Sequence, residues 1–231
     1  MNRTDHSTRP PMPSATIKFS SPNACNICHK DKTPQWADKQ VRTWHKDNYQ
    51  AETLYIGSLI DDAKKQKWAR VDDMLKAIST NKYGDVFTNS LIRLLFNYNG
   101  DKKFLTLMKA CTQVSPLVRS SAVNGLIGNR SDEAKKTLLK AAEDPIRLVR
   151  LAAASSLSVF PRDEFNPTEL ILVDKVNKEY EESLVTRPDS WSAHYNLGNH
   201  FQNMGKTNQA LASYETALKV YPDAFMPLVN S

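Results

Sequence analysis

Glycine is scarce in this chain of 231 residues, with seven in all, and cysteine is scarcer, with three. With 40% hydrophobic residues, so little glycine suits a helical globular protein. Two of the cysteines share one motif, which leaves Cys111 without an evident disulfide partner. It sits in the apolar run 104–111 and is expected to be a small buried hydrophobe. No stretch approaches the ~20 apolar residues of a membrane helix, so no span is expected and the protein should be soluble. The net charge is +6, yet there is no run of five or more Lys or Arg and no aromatic series along a basic strand. Nucleic-acid binding is therefore not indicated. An apolar signal segment is also missing from residues 1–13.

Against these absences stands one chemically explicit motif. Cys25, Asn26, Ile27, Cys28 and His29 spell C-x-x-C-H, the attachment signature of a c-type haem. Cys25 and Cys28 are placed to add covalently across two haem vinyl groups, and the His29 imidazole is then the proximal iron ligand. A half zinc site or a simple thiol pair is the competing reading, but zinc needs two further ligands and no second C-x-x-C exists. Covalent haem of this kind belongs to an oxidising, extracytoplasmic compartment. A periplasmic or otherwise extracytoplasmic location is expected, with the export signal upstream of a truncated start.

The sixth ligand is less specified. His6 lies in the loop DHSTRPPMP and is the first candidate, for this iron or for a haem outside the chain. His45, after Trp44, is the second. Met1 and Met12 are thioether alternatives that would raise the potential, and an empty position would allow catalysis. His194 and His200 fall in repeat helices, where a surface or groove role is expected. Arg9, Lys18, Lys30, Lys32, Lys39 and Arg42 surround the motif, either to steer an acidic redox partner or simply as a solvated face.

Four prolines within residues 1–24 predict extended, irregular chain there. From 31 to about 50, Trp36, Val41 and Trp44 predict a helix closing over the haem, with both tryptophans in pocket or inter-domain packing. Further on, QVSPLVRSSAVNGL (113–126) aligns with DPIRLVRLAAASSL (144–157) at an offset of 31, and Phe87, Leu91 and Leu95 keep the apolar positions one period earlier. Amphipathic runs around 74–78, 104–111 and 134–142 precede the copies. Paired helices at a fixed short period predict an α-solenoid. These copies resemble HEAT repeats, shorter than average. After the proline-bounded break 161–167, residues 191–222 resemble a tetratricopeptide repeat through Leu197, Gly198, Phe201, Gly205, Ala210, Tyr214, Ala217 and Pro222, with His194 in place of the usual aromatic. Tyr180 and Pro188 lie 34 residues before Tyr214 and Pro222, which makes 168–187 the second half of a degenerate preceding repeat.

The fold expected is all-α, with a haem segment at 1–50, HEAT-like repeats at 51–160 and tetratricopeptide-like repeats at 161–231. Taken together, C-x-x-C-H, HEAT-like helices and a tetratricopeptide unit resemble the carboxyl-terminal part of bacterial multihaem cytochromes c that carry such repeats. That resemblance implies covalent haem c at Cys25 and Cys28, iron ligation by His29, and His6 as a distal histidine. Electron transfer with redox partner proteins or upstream haem domains is the first expectation, and the grooves of HEAT and tetratricopeptide stacks suit a peptide or protein ligand. The chain departs from the family in having one haem motif. A non-redox scaffold with a vestigial or zinc-binding motif is the alternative, and a fragment of a haem reductase the third. No proton donor marks an enzyme.

Overall fold

The computed structural model describes residues 10–224. Among the described residues all regular structure is helical, as the composition and periodicity predict. The chain divides after Ala77 into two compact units.

The first unit contains α1 (Pro13–Phe19), α2 (Ala24–Cys28), α3 (Pro34–Trp44) and α4 (Ala51–Lys64). Helix α1 occupies part of the stretch expected to be irregular. The prolines mislead because Pro13 stands in the first turn, where the missing N–H is not needed, and Ser20 ends the helix in the left-handed region at φ 56°. Helix α1 packs on α3 and α4, and α2 packs on α3. Gly57 of α4 admits the Phe19 ring so closely that an added Cβ would lie 3.0 Å from it. Ala37, Val41, Ile56 and Leu59 form the buried apolar centre.

A polar cluster ties these helices together. Asp38 accepts hydrogen bonds from Ser14 Oγ, from Arg42 Nε at 2.7 Å and from Gln50 Nε2 at 3.2 Å. Burial alone would raise its pKa, but those hydrogen bonds and the Arg42 charge outweigh it and hold the carboxyl below its ordinary range. Val41 is buried as expected, whereas Trp44 is 66% exposed and does not pack into the unit.

The division between units falls within α5 (Val71–Thr80). In the second unit α6 (Asp85–Leu94), α8 (Pro116–Gly125) and α10 (Arg147–Leu157) begin 31 residues apart. They alternate with α7 (Lys102–Ala110) and α9 (Asp132–Ala142), and α6, α8 and α10 lie side by side. The aligned residues Leu91, Ala122 and Ala153, and likewise Leu95, Leu126 and Leu157, are fully buried. The sequence period is thus the period of the core. Cys111 is buried as well, which pushes its thiol pKa up to about 12.

The shared Val-Arg pair has its own explanation. Arg119 donates to both carboxylate oxygens of Asp144, at 2.8 and 3.0 Å, and to the carbonyls of Gln113 and Val114. One period later Arg150 donates to both oxygens of Glu179, at 2.9 and 2.7 Å, and to the carbonyls of Asp144 and Pro145. Each arginine closes its own turn and reaches the next unit with a two-pronged grip. Thr88 occupies the equivalent place in α6 and bonds to Asn81 instead.

The chain then enters α11 (Pro167–Val185), opened by a reciprocal capping box between Asn166 and Glu169. The helices α12 (Trp191–Asn203) and α13 (Thr207–Val220) pack together, turning at Gly205 with φ 72°. Leu197, Phe201, Ala210 and Tyr214 form their shared core. Gly198 lies under Tyr214, where an added Cβ would meet the ring at 2.3 Å. The Tyr214 hydroxyl reaches Asn199 Oδ1 at 2.8 Å and Gln202 Oε1 at 2.7 Å.

Candidate functional site

Helix α2 is a single turn, and two asparagines hold it in place. The Asn23 side chain accepts the N–H of Asn26 at 3.1 Å as an N-cap and donates to Thr16 Oγ1 of α1 at 2.8 Å. Asn26 donates to the carbonyl of Lys32 at 2.8 Å, fixing the loop toward α3. Cys25 and Cys28, three apart, share one face of this turn. Cys25 is half-buried, Cys28 is exposed, and both thiols are free.

His29 caps the helix by donating its N–H to the Cys25 carbonyl at 2.8 Å. Its ring packs at a tilt on Trp36 of α3, with centroids 5.1 Å apart. The imidazole nitrogens make no hydrogen bond among the described residues, so the ring is oriented without being engaged.

His45 ends α3 and is exposed. Its ring meets Tyr49 edge-on at 5.2 Å. The Tyr49 hydroxyl donates to the carbonyl of Pro11, beside the half-buried Met12. Burial raises the Tyr49 pKa first, and the charges of Asp38 and Cys25 add to the effect. Tyr49 therefore lies within electrostatic reach of Cys25 on one side and touches His45 on the other. His6 and Met1 lie outside the described residues.

The donor set fits covalent haem: two free thiols one turn apart and an adjacent unengaged imidazole. Closed zinc coordination has less to work with. Among the described residues no group of three or more His, Cys, Asp or Glu side chains could hold a metal ion. The basic rim is partly neutralised, since Arg42 pairs with Asp38 and Lys32 with Asp31. Among the described residues no helix is long and apolar enough to cross a membrane.

The other two histidines divide. His194 is half-buried and bonds the Pro188 carbonyl at 3.0 Å. His200 is only 2% exposed, which overturns a surface or groove role for it. It faces inward to the α11 helix, against the Tyr180 ring at 4.9 Å and with Glu181 Oε1 at 3.8 Å. Sequence reasoning missed this burial. It also missed the Arg119 and Arg150 grips, although the shared Val-Arg pair was a signal for them.

Residues 191–224 match the tetratricopeptide repeat family, the span of α12, α13 and the turn that follows. No curated protein and no solved structure matches the chain. The chain is a helical-repeat protein in which α12 and α13 form a tetratricopeptide repeat.

Proposed function

We propose that this protein is an extracytoplasmic electron-transfer cytochrome c segment, with one covalent haem c on its first unit and helical repeats that hold protein partners. The observation carrying the haem reading is the pair of free thiols, Cys25 and Cys28, one turn apart beside the unengaged imidazole of His29. Haem c bound there would supply a one-electron iron couple. Cys25 and Cys28 would hold the group through thioethers, His29 would bind its iron, and the contact with Trp36 orients that imidazole. Asn23 and Asn26 fix the turn that carries the thiols, and the Asp38 cluster fixes α1 against α3. His6 is the first candidate for the distal ligand, and His45, held only by its edge contact to Tyr49, the second.

The test is expression behind an export signal together with haem-attachment machinery. Haem that remains on the chain in a denaturing gel, with a c-type pyridine haemochrome, is expected from the parent and not from the double variant Cys25→Ala/Cys28→Ala. Loss of low-spin bands in His6→Ala but not in His45→Ala would assign the distal ligand. A folded parent chain without covalent haem would sink the redox reading.

The match at 191–224 favours a second reading, in which the repeats alone carry the function. In that case the Cys25→Ala/Cys28→Ala variant keeps every partner of the parent in a pull-down.

A further inference from the structure

The period that builds the core of the second unit also repeats on its surface. Val86, Leu117 and Leu148 are each the second residue of α6, α8 and α10, spaced 31 apart, and they are 66%, 36% and 50% exposed. Since these three helices lie side by side, the three side chains form an exposed apolar row across them. Ten residues further along, Phe96 and Ile127 begin a parallel row, 46% and 45% exposed. Phe96 and Ile127 follow the carboxyl ends of α6 and α8, so the two rows flank opposite ends of these helices. A groove of about 460 Å³ lies between them.

The floor of that groove is polar. Asn89 and Ser120 occupy one level, and Arg93, Asn124 and Ser155 the next. Arg93 is the one charged side chain lining the groove, and no carboxylate lines it. Neither the Arg93 guanidinium nor the Asn124 amide has a side-chain partner among the described residues.

Apolar rims over a floor of amide and hydroxyl groups discriminate between occupants. A helix has already satisfied its backbone and gains little from such a floor, whereas an extended segment brings unpaired N–H and C=O groups that need it. Adjacent packed helices lie 8–10 Å apart in general, and a polyproline-II segment advances about 9 Å in three residues. Every third side chain of such a segment therefore meets the next member of the row.

We infer that the α6, α8 and α10 face binds an extended segment of a partner protein, with apolar side chains at every third position and a carboxylate that pairs with Arg93. This rests on the protein-binding reading of the repeats and assigns it a face, a backbone form and a charge.

The probe is a labelled synthetic peptide with leucine at every third position and one aspartate between them, titrated against the whole chain by fluorescence anisotropy. Saturable binding is expected, weakened about tenfold or more by Arg93→Glu and by Leu148→Asp. Replacing the peptide's aspartate by lysine should restore binding to the Arg93→Glu chain, a rescue that misfolding cannot produce. Equal binding to parent and Arg93→Glu, or no binding by a folded parent, overturns the assignment. So does sedimentation showing a dimer that dissociates in Leu148→Asp, since a second copy then covers the face. A random-peptide display selection separates this claim from the broader one. Peptides enriched equally on parent and Arg93→Glu overturn this face and leave the repeats as a peptide-binding scaffold, while enrichment on neither removes both.

Discussion

His200 shows how a single buried group couples the tetratricopeptide helices to pH. Neither ring nitrogen has a hydrogen-bond partner among the described residues, and burial followed by the Lys206 charge pushes the pKa down to about 4. Glu181 is near enough at 3.8 Å to suggest an ion pair, but burial disfavours the imidazolium, so the contact is between a carboxylate and a neutral ring. The folded state thus refuses a proton that the unfolded chain accepts below its ordinary value of 6.5. The His200 contribution is expected to be complete above that value and to fall away as the pH drops toward about 4, by ~3 kcal/mol in all. Urea unfolding at a series of pH values between 7 and 4 should show this slope, and His200→Phe should remove most of it. A parent and variant with parallel pH profiles would show that some other group titrates. None of this could be read from the histidine's position in the repeat pattern, because whether a helical residue faces solvent or the preceding helix is decided by how α11 lies against α12.

At the level of the element, the contrast is between ion pairs that join repeats and those that decorate them. Arg119 and Asp144 are 13% and 11% exposed, and removing the guanidinium leaves a shielded carboxylate and two carbonyls short of donors. Arg119→Leu is therefore expected to cost roughly 2–4 kcal/mol. Arg147 also reaches Glu179, at 3.2 Å, but is 54% exposed, and Arg147→Ala should cost under about 1 kcal/mol. Chemical denaturation of both variants checks the difference, and equal losses would mean that the Arg119 grip is ornamental. The helices themselves were largely legible: the 31-residue offset located the buried positions of α6, α8 and α10, and small residues at set intervals located α12 and α13. Helix α1 was hidden, because a proline at a helix start and a proline in a loop look alike in sequence. The ligand of each arginine was hidden too, since it lies 25 or 29 residues away on a different element. The exposed row of Val86, Leu117 and Leu148 was visible in principle, had the same offset been applied to positions outside the core. At the C-x-x-C-H motif the residue types were explicit, whereas the contact with Trp36 and the fastening by Asn23 and Asn26 needed the fold.

On the scale of the whole molecule, the second unit is a succession of neighbours, with α10 against α8 and α11, and α11 against α12. Such arrays unfold by nearest-neighbour terms and not as one block. Gly198→Ala drives a methyl group into the Tyr214 ring and should cost about 1–3 kcal/mol locally. Hydrogen exchange in that variant is expected to accelerate most in α12 and α13, less in α11, and least in α8. Uniform acceleration along residues 78–224 would instead show a single cooperative block. The joint between the last 31-residue unit and α11 bears on how such a chain can lengthen. Arg119 finds its carboxylate on the loop before α10, but Arg150 finds an equivalent one on α11, the helix that precedes the tetratricopeptide pair α12 and α13. Glu179 therefore works as an adaptor, presenting to the last 31-residue unit the same socket that another such unit would offer. A duplication or loss of whole units upstream of it would leave this Arg150–Glu179 joint, and the helices that follow it, unchanged.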